Sequence, residues 1–376
     1  MTTLDPERQQ QAKQYARIRR RLWLVDNAFS AVYALAWLFL GWAVALREWL
    51  STLTTNEWLL VPAFVAVFGG ISSLINLPLG YYSGFVLPHR FGQSNQTLKG
   101  WIIDRLKGMA VGAALGLLLL ELLYLALRAT GDLWWLWAAG GMLVFTVVLS
   151  NLAPILIAPL FNKYIPIQDA LLRDRIMALV EQAGIRAKGV FQVDAGKRSR
   201  HTNAYFTGLG RTKRIVLYDT LLEAQDHEEI LSILAHEIGH WKKKHLLKQI
   251  IAMEIFTLIA LGGIFLLLQW SLLYRTFGFP LAAPYAGLFL VFLLMEPLLF
   301  FLTSLMSVIS RRYEREADRY AVAMIGTGQH LARAMKKLAK DNLANLHPHP
   351  LYAWFYYSHP PLVRRISDLQ KMGGVR

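Results

Sequence analysis

Cysteine is missing from all 376 residues. Disulfides are therefore excluded, and any bound metal must be held by nitrogen and oxygen donors, since no thiolate exists. Acidic residues are scarce too: 25 Asp and Glu face 40 Lys and Arg, a formal net charge of +15. Low-complexity tracts and internal repeats are absent. The first apolar block follows an arginine-rich lead, is long enough to span a bilayer, and carries no small-residue cleavage site, so no cleavable leader is expected.

What the sequence has in abundance is apolar residues, 55% of the chain, gathered into long blocks. Length alone would suggest about two or three domains. The blocks redirect that reading. Six of them, at about 22–46, 57–80, 108–128, 133–160, 249–274 and 285–308, are near or above the ~20 residues a helix needs to cross a bilayer. The expected fold is mainly α, a polytopic membrane helical bundle of about six spans. Of the 40 basic residues, 37 fall in the lead, the 88–107 loop, the 162–248 segment or the tail from 309. This is the positive-inside pattern, and it puts both termini and the 162–248 segment in the cytosol. A basic face toward anionic lipid accounts for the excess charge, so the lipid bilayer is an expected partner and nucleic acid is not. The implied organisation is a cytosolic lead (1–21), a four-span bundle (22–161), a cytosolic catalytic segment (162–248), a two-span hairpin (249–308) and a cytosolic C-terminal segment (309–376).

Within the cytosolic segment, "DALLRDRIMALVEQAGI" spaces Leu171, Leu172, Ile176, Leu179 and Val180 as an amphipathic helix does. "GVFQVDAG", "NAYFTGLG" and "KRIVLYDT" are short β-rich runs bounded by turn residues, which predicts a small sheet. "RIVLYD" is the expected edge strand. Asp226 with Glu229 three residues later predicts a capping box at the start of a helix, which runs through "LAHEIGHWKKKH" and can continue into the fifth span.

His236 and His240 are four apart, so a helix presents both rings on one face, with Glu237 beside them. H-E-x-x-H on a helix reads as two zinc ligands and a general base. The preceding "ILSILA" sets both imidazoles at a partly buried level, where an unpaired ring is costly. Catalytic zinc takes three protein ligands and keeps one position open. Two spans later, "SRRYEREADRYA" offers Glu314 and Asp318, also four apart. An even number of crossings returns the chain to the side it left, so either carboxylate can meet the histidines. His245 lies five residues past His240, about 140° round a continuous helix, and reads as structural or surface.

"HEIGH" followed by two spans and "RRYEREAD" resembles the type I CaaX prenyl endopeptidases, integral-membrane zinc proteases of the gluzincin group. "GKRSRHTNAYFTGLGRTKRIVLYDTLL", "KDNL", "YYSHPPLVRRI", "APLFNKYIPI" and "FGQSNQTL" are similar to segments which that family carries in the same order, so the resemblance covers roughly residues 15 to 370. It implies a gluzincin-like cytosolic protease domain with one zinc ion per chain. Glu314 is then the third ligand, and Asp318 a carboxylate that orients one of the ligands. Arg365 pairs with such a carboxylate, and His359 stabilises the oxyanion. Asn203 and Tyr205 hold substrate. Members that act on prenylated substrates carry a further span before the block placed first here. This chain therefore resembles a prokaryotic member of the inner membrane, and the lipid on its substrate is left open.

The expected activity is hydrolysis of short or membrane-associated peptides at the cytosolic face. A membrane-protein quality-control protease is the second enzymatic reading. A channel or transporter is the non-enzymatic one, and it leaves the histidine pair unexplained. Asp26, Glu121, Glu254 and Glu296 sit within apolar blocks, where charge is expensive; Asp26 belongs near a span end, and Glu254 and Glu296 suggest a water-filled cavity.

Overall fold

Helix formation starts at once, because Asp5 accepts a hydrogen bond from the Glu7 N–H and Pro6 takes a position whose missing N–H costs nothing. In this computed structural model, residues 5–207, 213–276, 278 and 284–372 are described, with side chains described throughout except at 284–301. The first helix, α1 (Pro6–Phe39), has 34 residues. At 1.5 Å per residue that is about 51 Å, well beyond the ~30 Å hydrocarbon layer. From Pro6 onward the lead is one rod with the first span. Ala12 and Tyr15 bury against Leu87 and Leu343, and the Gln9 amide donates to the Ala344 carbonyl.

The first span also ends earlier than its apolar run. Gly41 adopts φ +72, which breaks the helix after Phe39, and α2 (Trp42–Leu53) turns away. Tyr33, Trp37, Leu46, Leu60, Phe64 and Tyr274 knit α1, α2, α3 (Glu57–Ile75) and the short helix Ser271–Thr276 together there. Next come α4 (Leu98–Ala129) and α5 (Trp134–Leu152), the latter packed on α8 (His245–Leu268) through Trp134, Ala139, Leu261 and Ile264. Among the described residues, five helical segments are long and apolar enough to cross a bilayer: Pro6–Phe39, Glu57–Ile75, Leu98–Ala129, Gly131–Leu160 and His245–Leu268. Of the sixth expected span, residues 285–301 lie outside the described side chains. Its chain belongs to α9 (Pro284–Ile325), 42 residues and so about 63 Å long, which leaves the apolar block and runs on through Glu314 and Asp318.

Between the spans lies a four-stranded sheet: β1 (Tyr164–Pro166), β2 (Ala187–Val193), β3 (Ala204–Thr207) and β4 (Lys213–Tyr218), in the order β1-β2-β4-β3. "RIVLYD" is thus not the edge. Ile215, Val216 and Leu217 are all fully buried, as a strand flanked on both sides requires, and the shorter "AYFT" strand takes the edge beside it. One sheet face packs on α6 (Ala170–Gln182), α7 (His227–Lys242), α10 (Gln329–Asp341) and the final helix α11 (Leu362–Met372), through Leu172, Ile215, Leu234, Met335 and Leu369 among others.

Candidate active site

The start of α7 is fixed by the expected capping box. The Asp226 carboxylate accepts from the Glu229 N–H at 2.9 Å, and the Glu229 carboxylate accepts from the Asp226 N–H at 3.0 Å. Glu229 is itself buried and takes a further hydrogen bond from Lys337 of α10 at 2.5 Å, which ties the helix start to the neighbouring layer. Gly239 fixes the depth of packing. A β-carbon there would lie 3.0 Å from the Ala317 Cα, so α7 and α9 approach as closely as their backbones permit.

That approach brings His236, His240 and Glu314 together, with one donor atom from each within 4.8 Å of the others. The His236 and His240 Nε2 atoms are 3.0 Å apart. Glu314 Oε1 lies 3.2 Å from His240 Nε2, and Glu314 Oε2 lies 3.5 Å from His236 Nε2. Donors around a tetrahedral ion with ~2.0–2.1 Å bonds stand about 3.3 Å apart, so these spacings fit a zinc-sized cation. The electrostatics fit it as well. Burial opposes protonation of His236, yet hydrogen bonds to Asp318 and Glu314 push the group up to about 9, because two carboxylates beside the ring call for positive charge. Burial also raises Glu314, but its hydrogen bonds to both imidazoles and the Arg365 guanidinium more than reverse this, and hold it far below the usual carboxylate range. Glu314 Oε2 is buried, with Arg365 2.8 Å away but no aligned hydrogen-bond donor among the described residues.

Around this trio, Asp318 Oδ1 lies 2.9 Å from His236 Nδ1, and Arg365 donates from Nε and Nη2 to the two Asp318 oxygens, each at 2.7 Å. His359 Nε2 is 3.3 Å from Glu314 Oε1 on the exposed side of the pocket. Close packing of protein around that ring lowers its pKa, against the pull of Glu314. Burial raises the Glu237 carboxyl, with the adjacent imidazoles opposing. Asn203 is exposed immediately before β3, and its main-chain carbonyl accepts from the Tyr218 N–H. Tyr205 stands apart. Ala204 and Phe206 face α7, whereas the Tyr205 ring lies on the opposite sheet face, its hydroxyl 3.1 Å from that of Tyr164. The expected role of that side chain in holding substrate finds no geometric support.

His245 is structural, as expected, and not one of the three donors. The continuous helix assumed for it is corrected: α7 does not run on into α8, because Lys244 adopts φ +55 and a new helix starts at His245. The buried ring packs flat on Tyr313 and meets His240 Nδ1 at 3.0 Å. Of the intramembrane carboxylates, Asp26 is exposed, Glu121 and Glu254 are half-buried, and Glu296 lies outside the described side chains.

Membrane-crossing helices joined to a soluble helix–sheet layer that carries an H-E-x-x-H helix define an integral-membrane metalloprotease. Residues 1–163 match the family model described as the CAAX prenyl protease N-terminal region with five membrane helices, and residues 166–373 match peptidase family M48. The chain belongs to family M48. It is 35% identical over 327 residues to CAAX prenyl protease 1 of Saccharomyces cerevisiae, covering 81% of this chain and 71% of the yeast protein. It is 34% identical over 348 residues to the Arabidopsis thaliana CAAX prenyl protease 1 homolog, covering 92% and 81%. The crystal structure of Saccharomyces mikatae Ste24p superposes with a TM-score of 0.88 at 30% identity, over 97% of this chain and 90% of that one.

Proposed function

We propose that this protein is a zinc endopeptidase that cleaves CaaX-type or other short, membrane-tethered peptides at the cytosolic membrane face. The convergence of His236, His240 and Glu314, with Glu237 on the same helix, carries the reading. Those three side chains hold the ion, and Asp318 and Arg365 orient His236 and Glu314. Bound there, zinc supplies Lewis acidity toward a water and the scissile carbonyl. Glu237, its carboxyl raised by burial, takes the water's proton and delivers it to the leaving amine. His359, with its ring edge open to the pocket, donates to the oxyanion. A peptide laid along β3, an edge of the sheet, gains main-chain hydrogen bonds, and Asn203 at the strand's start holds its backbone. This recognition reads extension rather than side chains.

The cytosolic placement of both termini and the site rests on the basic residues. The inner 88–97 loop supports it too, because Asn95 N–H donates to the Arg198 carbonyl and Gln93 donates to the Asp341 carbonyl, which joins that loop to the catalytic layer. A prokaryotic inner membrane is the location proposed with it. The relatives named for CaaX processing favour such substrates over damaged membrane proteins. The test is cleavage of a CaaX peptide with and without its prenyl group by the purified protein. Faster cleavage of the prenylated peptide is expected; equal rates would remove lipid recognition, and no cleavage of either would remove the substrate class.

A further inference from the structure

We infer that His245 and Glu316 form a hydrogen-bonded relay that fixes the tautomer and the angle of the His240 ring. The inference rests on the reading of His240 as a metal ligand. His240 turns Nε2 toward His236 and Glu314, so a cation held there needs the lone pair on that nitrogen. A neutral imidazole then carries its proton on Nδ1. That N–H points at His245 Nδ1, 3.0 Å away, which must accept. Accepting at Nδ1 leaves the His245 proton on Nε2, and this nitrogen lies 3.2 Å from Glu316 Oε2. The chain of donors ends on a carboxylate that accepts at its other oxygen from Arg312 Nε at 3.1 Å. Each tautomer is thus fixed by the one before it, and no polar atom of the relay is left over.

The two histidines of the motif are oriented by different means. His236 meets Asp318 directly at 2.9 Å. His240 reaches a carboxylate only through a second imidazole. Local backbone puts that imidazole in place, since the left-handed residue Lys244 breaks the helix and lets the His245 ring meet His240. A left-handed non-glycine residue carries a steric cost, retained here where the turn delivers a ring to the site. Tyr313, one residue before Glu314, stacks on the His245 ring with centroids 4.2 Å apart, so α9 clamps the relay from the other side.

The full-length protein in detergent is stripped of metal, and its zinc affinity is measured by competition with a chromophoric chelator, for wild type and for His245→Phe, Glu316→Ala and Glu316→Gln. Phenylalanine keeps the flat face on Tyr313 and removes both nitrogens. Glutamine keeps an oxygen for the His245 N–H. The relay predicts zinc binding weaker by roughly 10–100-fold in His245→Phe and Glu316→Ala, with partial recovery in Glu316→Gln. The melting temperature of the stripped protein should stay near that of wild type in all three. Wild-type affinity in the variants overturns the relay alone. So does a fall in affinity matched by a fall in stripped-protein melting temperature, since that marks a packing role. Wild type that binds no zinc overturns the site itself. Should His245→Phe fail to fold, the half-buried Glu316 pair decides by the same criteria.

Discussion

Gly239 and Ala317 stand so close that a β-carbon on the glycine would come within 3.0 Å of the Ala317 Cα and 3.1 Å of its carbonyl oxygen. Backbone contact between α7 and α9 is what sets the distance from the histidine pair to Glu314. Gly239→Ala should therefore cost about 1–3 kcal/mol by overpacking and lower zinc affinity at the same time. Thermal melting and chelator competition on one preparation check both. A variant that melts and binds like wild type would show that the helices have slack.

Arg365 is the buried cation between Asp318 and Glu314, 2.7 and 2.8 Å from their oxygens. Replacing it with methionine leaves two acidic groups without their partner. The expected loss is about 3–5 kcal/mol of stability in the metal-free protein, and addition of zinc should restore part of it. Lysine in its place keeps the charge but loses the two-pronged bond to Asp318, and should fall between. Equal stability of Arg365→Met and wild type would contradict this.

Recognition through the edge strand separates Asn203 from Tyr205. Asn203→Ala should raise KM several-fold, since the proposed peptide along β3 would be held by that side chain at the strand's start. Tyr205→Phe should leave KM near wild type and cost roughly 1 kcal/mol of stability, since it removes only the hydrogen bond to Tyr164 on the far sheet face. The reverse ranking in steady-state kinetics would place the peptide elsewhere.

What could be read from the chain alone follows from the range of the forces involved. Histidine spacing on one helix and the capping box at Asp226 are local, and apolar length sets the spans. Spacing and crossing parity offered Glu314 and Asp318, the family resemblance assigned their roles and added Arg365 and His359, and the fold gathers these side chains around the histidine pair. Strand order was illegible, because "RIVLYD" and "NAYF" both read as strands and only three-dimensional packing decides which is covered. That His245 is structural rather than a ligand was legible; its contact with His240 was not, because a left-handed break at Lys244 lies between them. The exit of α1 at Gly41 was hidden inside an apolar run for the same reason, a single backbone angle outweighing composition.

Glu237 lies on the metal helix but is not one of the three donors gathered around the pocket. Glu237→Gln should keep full zinc occupancy and lose about 10²–10⁴-fold in turnover, the range for a general base. Retained turnover would move that role to another group.

The zinc content of wild type, Glu237→Gln and Glu314→Ala, purified identically and assayed against one CaaX peptide, tests the central claim most directly. The site described here predicts one zinc per chain in wild type and in Glu237→Gln, and far less in Glu314→Ala, with cleavage by wild type alone. Wild-type protein that cleaves the peptide without any bound metal, or Glu314→Ala that holds zinc as tightly as wild type, would contradict it.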